Sequence, residues 1–227
     1  MSNDKWVISL GGSRIVPNEV DLAFLLEFKK LIESHPEKKF VVVTGGGKTV
    51  RTYVKAMKKM GQSIESQSRT GIALTRFHAE YLMRLFGKDA NHILPRTMKK
   101  VEAQLNKNHV VFTGALRYGP NQTSDSVGAK LAAHLNCPFI NLTNIKGLYT
   151  DNPKTHKSAK FIPKITWKEF YKKSMKIKYS AGQHYVLDQV GSRVIMNKRV
   201  TTYIVGSLAQ IQNILSKKKF LGTTIRG

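Results

Sequence analysis

The sequence has little of what extracellular, metal-binding or membrane proteins need. Its 227 residues include one cysteine, Cys137, which precedes Pro138 in an apolar stretch. A lone thiol excludes a disulfide framework and a Cys-x-x-Cys site, and reads as a small core residue in a reducing compartment. His35, His78, His92, His109, His134, His156 and His184 are scattered, none at metal-ligand spacing, so no protein metal site is expected. No apolar run is long enough to span a bilayer, and the N-terminus lacks the basic-then-apolar pattern of a signal peptide. A cytoplasmic protein without a membrane partner is the expectation. The scarcest property is negative charge: 14 acidic residues face 38 basic ones, a formal net charge of +24.

Such an excess draws polyanions such as RNA, and equally small phosphorylated substrates. The lysines are spread along the chain, with local clusters at Lys172, Lys173, Lys176 and Lys178 and at Lys217 to Lys219. Spread charge implies a solvated surface with non-specific nucleic-acid affinity rather than a dedicated recognition face. Hydrophobic residues at 41% and charged residues at 23% are ordinary for a globular chain. The length fits one α/β domain or two small ones, and one is the simpler reading.

What is present centres on residues 40–51, Phe-Val-Val-Val-Thr-Gly-Gly-Gly-Lys-Thr-Val-Arg. Phe40 to Val43 is a β-branched apolar run, the pattern of a strand buried on both faces. Three glycines follow, then Val50, Val54 and Met57 at helical spacing. A strand that ends in glycines and opens a helix gathers bare N–H groups and the positive end of a helix dipole at one point. Lys48 and Arg51 stand at its edge. The arrangement suits phosphate, yet it is not a Walker A loop, which needs four residues between its first Gly and a Gly-Lys-Ser/Thr.

Elsewhere strands and helices alternate. Trp6 to Leu10 reads as a strand ended by Gly11-Gly12-Ser13 and Arg14; Pro17-Asn18-Glu19 reads as the start of a helix that His35-Pro36 stops. Gln62 to Thr70 is expected as a loop, Ile72 to Phe86 as a helix, Asn91 to Leu94 as a short strand and Thr97 to Leu105 as a helix. His109 to Thr113 reads as a buried strand, Gly114 to Ser124 as a polar loop, and Asp125 as the cap of the helix behind it. Pro138 to Leu142 is a strand with a turn at Thr143 to Gly147, and Pro153 and Pro163 punctuate a polar segment. Helices are expected near Thr166 to Lys173 and behind the loop at Ser180 to Gln183. Thr201 to Val205 is a strand, Leu208 to Leu215 a helix, and Thr223 to Ile225 an edge strand. Alternation implies an α/β fold with a mainly parallel sheet covered on both faces. Ligands in such folds sit beyond the C-terminal ends of the strands. Gly11 to Ser13, Gly45 to Gly47, the Gly114 to Ser124 loop and Thr143-Asn144 all fall there.

Seven stretches in order give the chain a resemblance. They are Ile-Ser-Leu-Gly-Gly-Ser (8–13), Val-Val-Thr-Gly-Gly-Gly-Lys-Thr-Val-Arg (42–51), Gly-Ile-Ala-Leu-Thr-Arg (71–76), Gln-Thr-Ser-Asp (122–125), Thr-Asn-Ile-Lys-Gly-Leu-Tyr-Thr (143–150), Ala-Gly-Gln-His-Tyr-Val-Leu-Asp (181–188) and the late Gly-Thr-Thr-Ile. Together they resemble the amino-acid kinase superfamily and, within it, archaeal-type uridylate (UMP) kinases. The resemblance implies a three-layer αβα sandwich, residues 1–227 as one domain with an acceptor-binding N-terminal part and an ATP-binding C-terminal part. It also implies a homohexamer, Mg-ATP as donor and Mg²⁺ between the ATP oxygens.

Carried over, it places Ser9, Gly11, Gly12, Ser13, Gly47, Arg51, Thr143, Asn144, Tyr149 and Asn152 on the ATP side. Gly46, Ser68, Tyr118, Gly119, Pro120, Asn121, Gln122, Thr123 and Ser124 fall on the UMP side. Lys48, Arg14 and Ser9 are the candidates at the point of transfer. Phosphoryl transfer needs alignment and positive charge rather than a catalytic base, and no His or carboxylate pair is expected.

The chain departs from the family pattern in places. Ser9 stands where many relatives have Lys, Lys146 where Thr-Asn-Val-Asp-Gly has Asp, and Asn152 where Tyr-Thr-Ala-Asp-Pro has Asp. Asp188-Gln-Val-Gly-Ser-Arg193 replaces Asp-Pro-Leu-Ala-x-Lys, and Ser68 falls near the Asp that would meet the UMP ribose. Beside UMP kinase stand two other readings: a relative with another small acidic acceptor, and a non-catalytic nucleotide- or RNA-binding member.

Overall fold

The computed structural model describes residues 4–118, 123–151, 153, 155–176 and 188–227. Its elements run β1 (Lys5–Leu10), α1 (Gly12–Ile15), α2 (Leu22–Glu33), β2 (Lys39–Thr44), α3 (Gly47–Lys59), α4 (Ile64–Phe86), α5 (Met98–Lys107), β3 (Val110–Thr113) and α6 (Ser124–His134). Then come β4 (Phe139–Leu142), β5 (Leu148–Tyr149), β6 (Phe161–Ile162), β7 (Lys164–Ile165), α7 (Trp167–Met175), α8 (Gln189–Lys198), β8 (Thr202–Val205), α9 (Leu208–Leu215) and β9 (Gly222–Ile225).

Seven strands form one sheet in the order β3-β2-β1-β4-β8-β9-β7. All neighbours are parallel except β8 and β9. From β1 the chain winds outward through β2 to β3, then returns to β4 and winds the other way. The switch point therefore lies between β1 and β4, where an open parallel sheet leaves a crevice at its strand ends.

The strands are apolar throughout because both faces are covered, and alternate residues serve opposite layers. Ile8, Leu10, Phe40, Val42 and Phe112 pack with Leu25 and Phe28 of α2, Ala79 and Leu82 of α4 and Ile211 of α9. Val7, Val41, Val43 and Val111 pack on the other side with Val101 of α5, Val127 and Leu131 of α6, Phe170 of α7 and Ile195 of α8. Three layers, αβα, result.

Several sequence expectations need correction. Gln62 to Thr70 is not a loop: Ser63 caps α4, accepting from the amide of Ser66, and Glu65 pairs with Arg69 one turn on. This part of α4 packs on α3 rather than on the sheet, so it needs no apolar stripe. Asn91 to Leu94 forms no strand. Only Ala90 bridges to Val110, and the Asn91 side chain then takes the place of a strand partner, accepting from the Phe112 amide and donating to its carbonyl. Helix α2 starts at Leu22 rather than at Pro17, because Asp21 provides the cap. Asp125 is not a cap either; Thr123 is, with its Oγ accepting from the amide of Asp125. Strand β9 lies inside the sheet, and two-residue β7 is the edge.

Candidate active site

The ends of β1 and β2 interlock through glycine. A Cβ on Gly12 would lie 2.5 Å from the carbonyl oxygen of Gly45, the carbonyl carbon of Gly46 and the amide of Gly47. Gly47 in turn has φ +59 and would meet Gly12 at 2.4 Å. Only bare backbone can pass here. Both turns open helices, α1 after Gly11 and α3 after Gly46, and no side chain caps either one. Apart from the Arg14 amide, which donates to the Gly11 carbonyl, their leading N–H groups have no side-chain acceptor, the condition for binding an anion.

Each outer layer contributes to this junction. From α4, His78 is buried and its Nδ1 lies 2.8 Å from the carbonyl of Gly45. Arg76 donates to the carbonyls of Ala115 and Leu116, and Thr75 Oγ1 accepts from the amide of Ala115, so α4 also holds the chain after β3. From the opposite layer comes α6. A Cβ on Gly45 would lie 3.2 Å from Ser124 Oγ. Ser9 is fully buried, and its Oγ donates to Asp125 Oδ1 at 2.6 Å. Burial of the Asp125 carboxyl pushes its pKa up to about 6; neighbouring Asp188 adds to the rise, and hydrogen bonds from Ser9 and Asn141 oppose it. Asp188 caps α8 and accepts from both the amide and hydroxyl of Thr123, tying the starts of α6 and α8 together.

The cations sit differently. Arg14 spans the switch point, donating to the carbonyls of Thr143 after β4 and Gly206 after β8. Lys48 is exposed, and its ammonium donates to Asn18 Oδ1 at 2.6 Å. Arg51 lies one turn into α3. Ser68 is half-buried on α4 beside Arg69, whose guanidinium stands over the Tyr118 ring. Tyr149 packs edge-on against Phe161 in the β5–β6 pair, and Lys173 donates to the carbonyl of Thr150. Asn144 and Lys146 are exposed.

The structure thus brings Ser9, Gly11, Gly12, Ser13, Gly46, Gly47 and Ser124 to one place, and links Thr143 to it through Arg14. Gly119, Pro120, Asn121, Gln122 and Asn152 lie outside the described residues, as does most of the 181–188 stretch. His78 has no local sequence signal that sets it apart on a helix, whereas Thr75 and Arg76 close the 71–76 stretch that carries part of the resemblance. Asp125 had one, its place between hydroxyl residues, although capping was the wrong reading of it.

A mainly parallel αβα sandwich whose switch point presents two uncapped, interlocked glycine turns defines an α/β protein built to hold phosphate groups. The profile of the amino acid kinase family matches residues 4–206, and the chain belongs to that family. It is 30% identical over 225 residues to a uridylate kinase of Thermoplasma volcanium, covering 98% of both chains. The crystal structure of uridylate kinase from Archaeoglobus fulgidus superposes with a TM-score of 0.84 at 30% identity, over 97% of this chain and 99% of that one. UMP kinase from Ureaplasma parvum shares the fold alone, with 18% identity, a TM-score of 0.80 and full coverage of both chains.

Proposed function

We propose that the protein is a nucleoside monophosphate kinase that transfers the γ-phosphoryl group of ATP to UMP, giving UDP in pyrimidine nucleotide synthesis. The observation that carries this reading is the backbone contact of Gly12 with Gly45 to Gly47, which sets two uncapped helix starts side by side. Two anions held there are close enough for direct transfer. Near-complete coverage of uridylate kinases at 30% identity supports UMP as the acceptor.

In this reading residues 1–227 act as one domain, acceptor-binding towards the N-terminus and ATP-binding towards the C-terminus. The Gly11 to Ser13 turn, Gly47 and Arg51 hold ATP phosphates, with Thr143, Asn144, Tyr149 and Asn152 on its base and ribose side. Gly46, Ser68 and Tyr118 to Ser124 hold UMP. A UMP phosphate oxygen attacks the γ-phosphorus as the bond to the β–γ bridging oxygen breaks, and ADP leaves. The phosphate is already a competent nucleophile, so the chain supplies alignment and charge rather than a base. Lys48 swings from Asn18 towards the transferring group, and Arg14 fixes the donor-side loops.

Magnesium would be held mainly by ATP phosphate oxygens and water, because the carboxylates near the junction are already engaged, Asp125 by Ser9 and Asp188 by Thr123 and the Gly191 amide. When bound it neutralises charge on the ATP oxygens. The enzyme acts in the cytoplasm as a homohexamer. The test is a coupled assay with Mg-ATP and a panel of UMP, CMP, AMP and small carboxylic acids. UDP formation at least tenfold faster than any other product is expected; turnover of another acceptor, or ATP binding without turnover, overturns the assignment.

A further inference from the structure

We infer that His78 is a positioning residue that aims the backbone amides of the glycine junction at the bound phosphates. The inference rests on the kinase reading above. His78 lies in the middle of α4, buried, with its Nδ1 2.8 Å from the carbonyl oxygen of Gly45. A carbonyl can only accept, so Nδ1 carries the proton and the ring donates.

That bond does more than satisfy a buried carbonyl. The peptide between Gly45 and Gly46 is trans and planar, so its C=O and N–H point to opposite edges. Anchoring the oxygen on α4 turns the Gly46 N–H away from α4. Gly46 itself is the N-cap of α3, and the amides that follow it are the unpaired donors of that helix. Glycine is the residue least able to hold such an orientation unaided, because its backbone has the widest choice of conformations. Three in succession need an external restraint.

The restraint comes from two sides. His78 grips the Gly45 oxygen from α4, and Gly12 of the neighbouring turn lies against the same stretch of backbone. Loss of the imidazole donor would release the first side only. The strand below stays fixed, since Thr44 Oγ1 donates to the carbonyl of Thr75 and the Gly45 amide donates to Leu10. Movement is then confined to residues 45–47, the ones that meet phosphate. The effect of His78 passes through these amides to both nucleotides, because in the kinase reading Gly46 meets UMP and Gly47 meets ATP.

The test separates the donor from the ring. In His78→Asn the amide nitrogen occupies the place of Nδ1 and retains the bond; His78→Leu has similar bulk and no donor; His78→Gln carries its donor one carbon too far out. Binding of UMP and of ATP is read by titration calorimetry, and kcat and KM by UDP formation. His78→Asn is expected within about threefold of wild type, and His78→Leu at least tenfold weaker for both UMP and ATP and lower in kcat, which corresponds to about 1.4 kcal/mol, the scale of one lost buried hydrogen bond. A purely structural histidine would lower the melting temperature of His78→Leu and leave the kinetics of its folded fraction unchanged, which overturns the inference. So does His78→Asn as impaired as His78→Leu. If His78→Leu does not fold, His78→Gln decides: it must fall below His78→Asn in affinity, and equality overturns the role. Absence of UDP with the wild-type protein defeats the kinase reading alone, since the ATP titrations still report on His78.

Discussion

Ser9 Oγ donates to Asp125 Oδ1 at 2.6 Å, joining β1 to the first turn of α6. Desolvation, helped by neighbouring Asp188, raises the carboxyl's pKa from 3.8 to about 6. The folded protein therefore holds this proton more tightly than the unfolded chain does. Stability from the group is fully present below pH 3.8 and is lost as pH rises through 6. The shift corresponds to about 3 kcal/mol in the nucleotide-free protein. Asp125→Asn, which cannot ionise, should gain on wild type by up to that amount between pH 4 and pH 7. Urea unfolding across this range checks it, and parallel pH profiles for the two proteins would refute it.

Gly11 and Gly12 are adjacent and should respond oppositely to alanine. A Cβ at Gly11 meets only the Leu142 carbonyl at 3.7 Å, an ordinary contact. At Gly12 it meets three backbone atoms of Gly45 to Gly47 at 2.5 Å, and backbone cannot rotate away. Gly11→Ala should melt within about 2 °C of wild type, whereas Gly12→Ala should melt at least about 6 °C lower and lose phosphoryl transfer. Scanning calorimetry and the coupled assay measure both.

Arg14 is a strut between carbonyls, donating to Thr143 and Gly206. Hydrogen bonds from charged groups contribute about 1.5–3 kcal/mol, and Arg14→Met removes the donors to both Thr143 and Gly206. We expect it to lose about 2–3 kcal/mol of stability and to raise KM for ATP while KM for UMP stays level. Arg14→Lys should recover only part, since an ammonium lacks the planar fork. Equal rises in both KM values would count against a donor-side strut.

Lys48 gives the opposite expectation. Its bond to Asn18 is exposed, so Lys48→Met should change folding stability by less than about 0.5 kcal/mol. If its charge is used in transfer, kcat falls at least about tenfold, since a buried charge–phosphate contact exceeds 1.4 kcal/mol. Unchanged kcat would leave Lys48 as a surface cation.

The sandwich and its phosphate-bearing edge were legible from residues alone. Phe40 to Val43 had to be a two-sided strand, and three glycines before a helix had to leave N–H groups open. What was not legible was polar structure with no periodic signature. Ile64 to Ser68 look like loop residues because this end of α4 is exposed or half-buried, where polar side chains stay solvated. Asn91 imitates a strand with its side chain, a substitution no propensity encodes. His78 and Asp125 acquire their places only when α4 and α6 close over opposite faces of the same strand ends. The cations divide likewise: charge is visible in sequence, but whether a guanidinium faces ligand or backbone is decided by residues more than a hundred positions away.

Helix α3 has no buried residue along its whole length, although its first turn supplies amides to the junction. It leans chiefly on α4 and α1. Its own packing therefore contributes little to holding it, and a nucleotide seated on its N-terminus becomes part of its anchorage. Local opening of this segment is then linked to ligand concentration by mass action, with a hundredfold excess over Kd adding about 2.7 kcal/mol of protection. Amide exchange along residues 47–59 should slow when ATP and UMP are added, by more than in β1 or β2. A substrate seated there would serve its own helix as mortar.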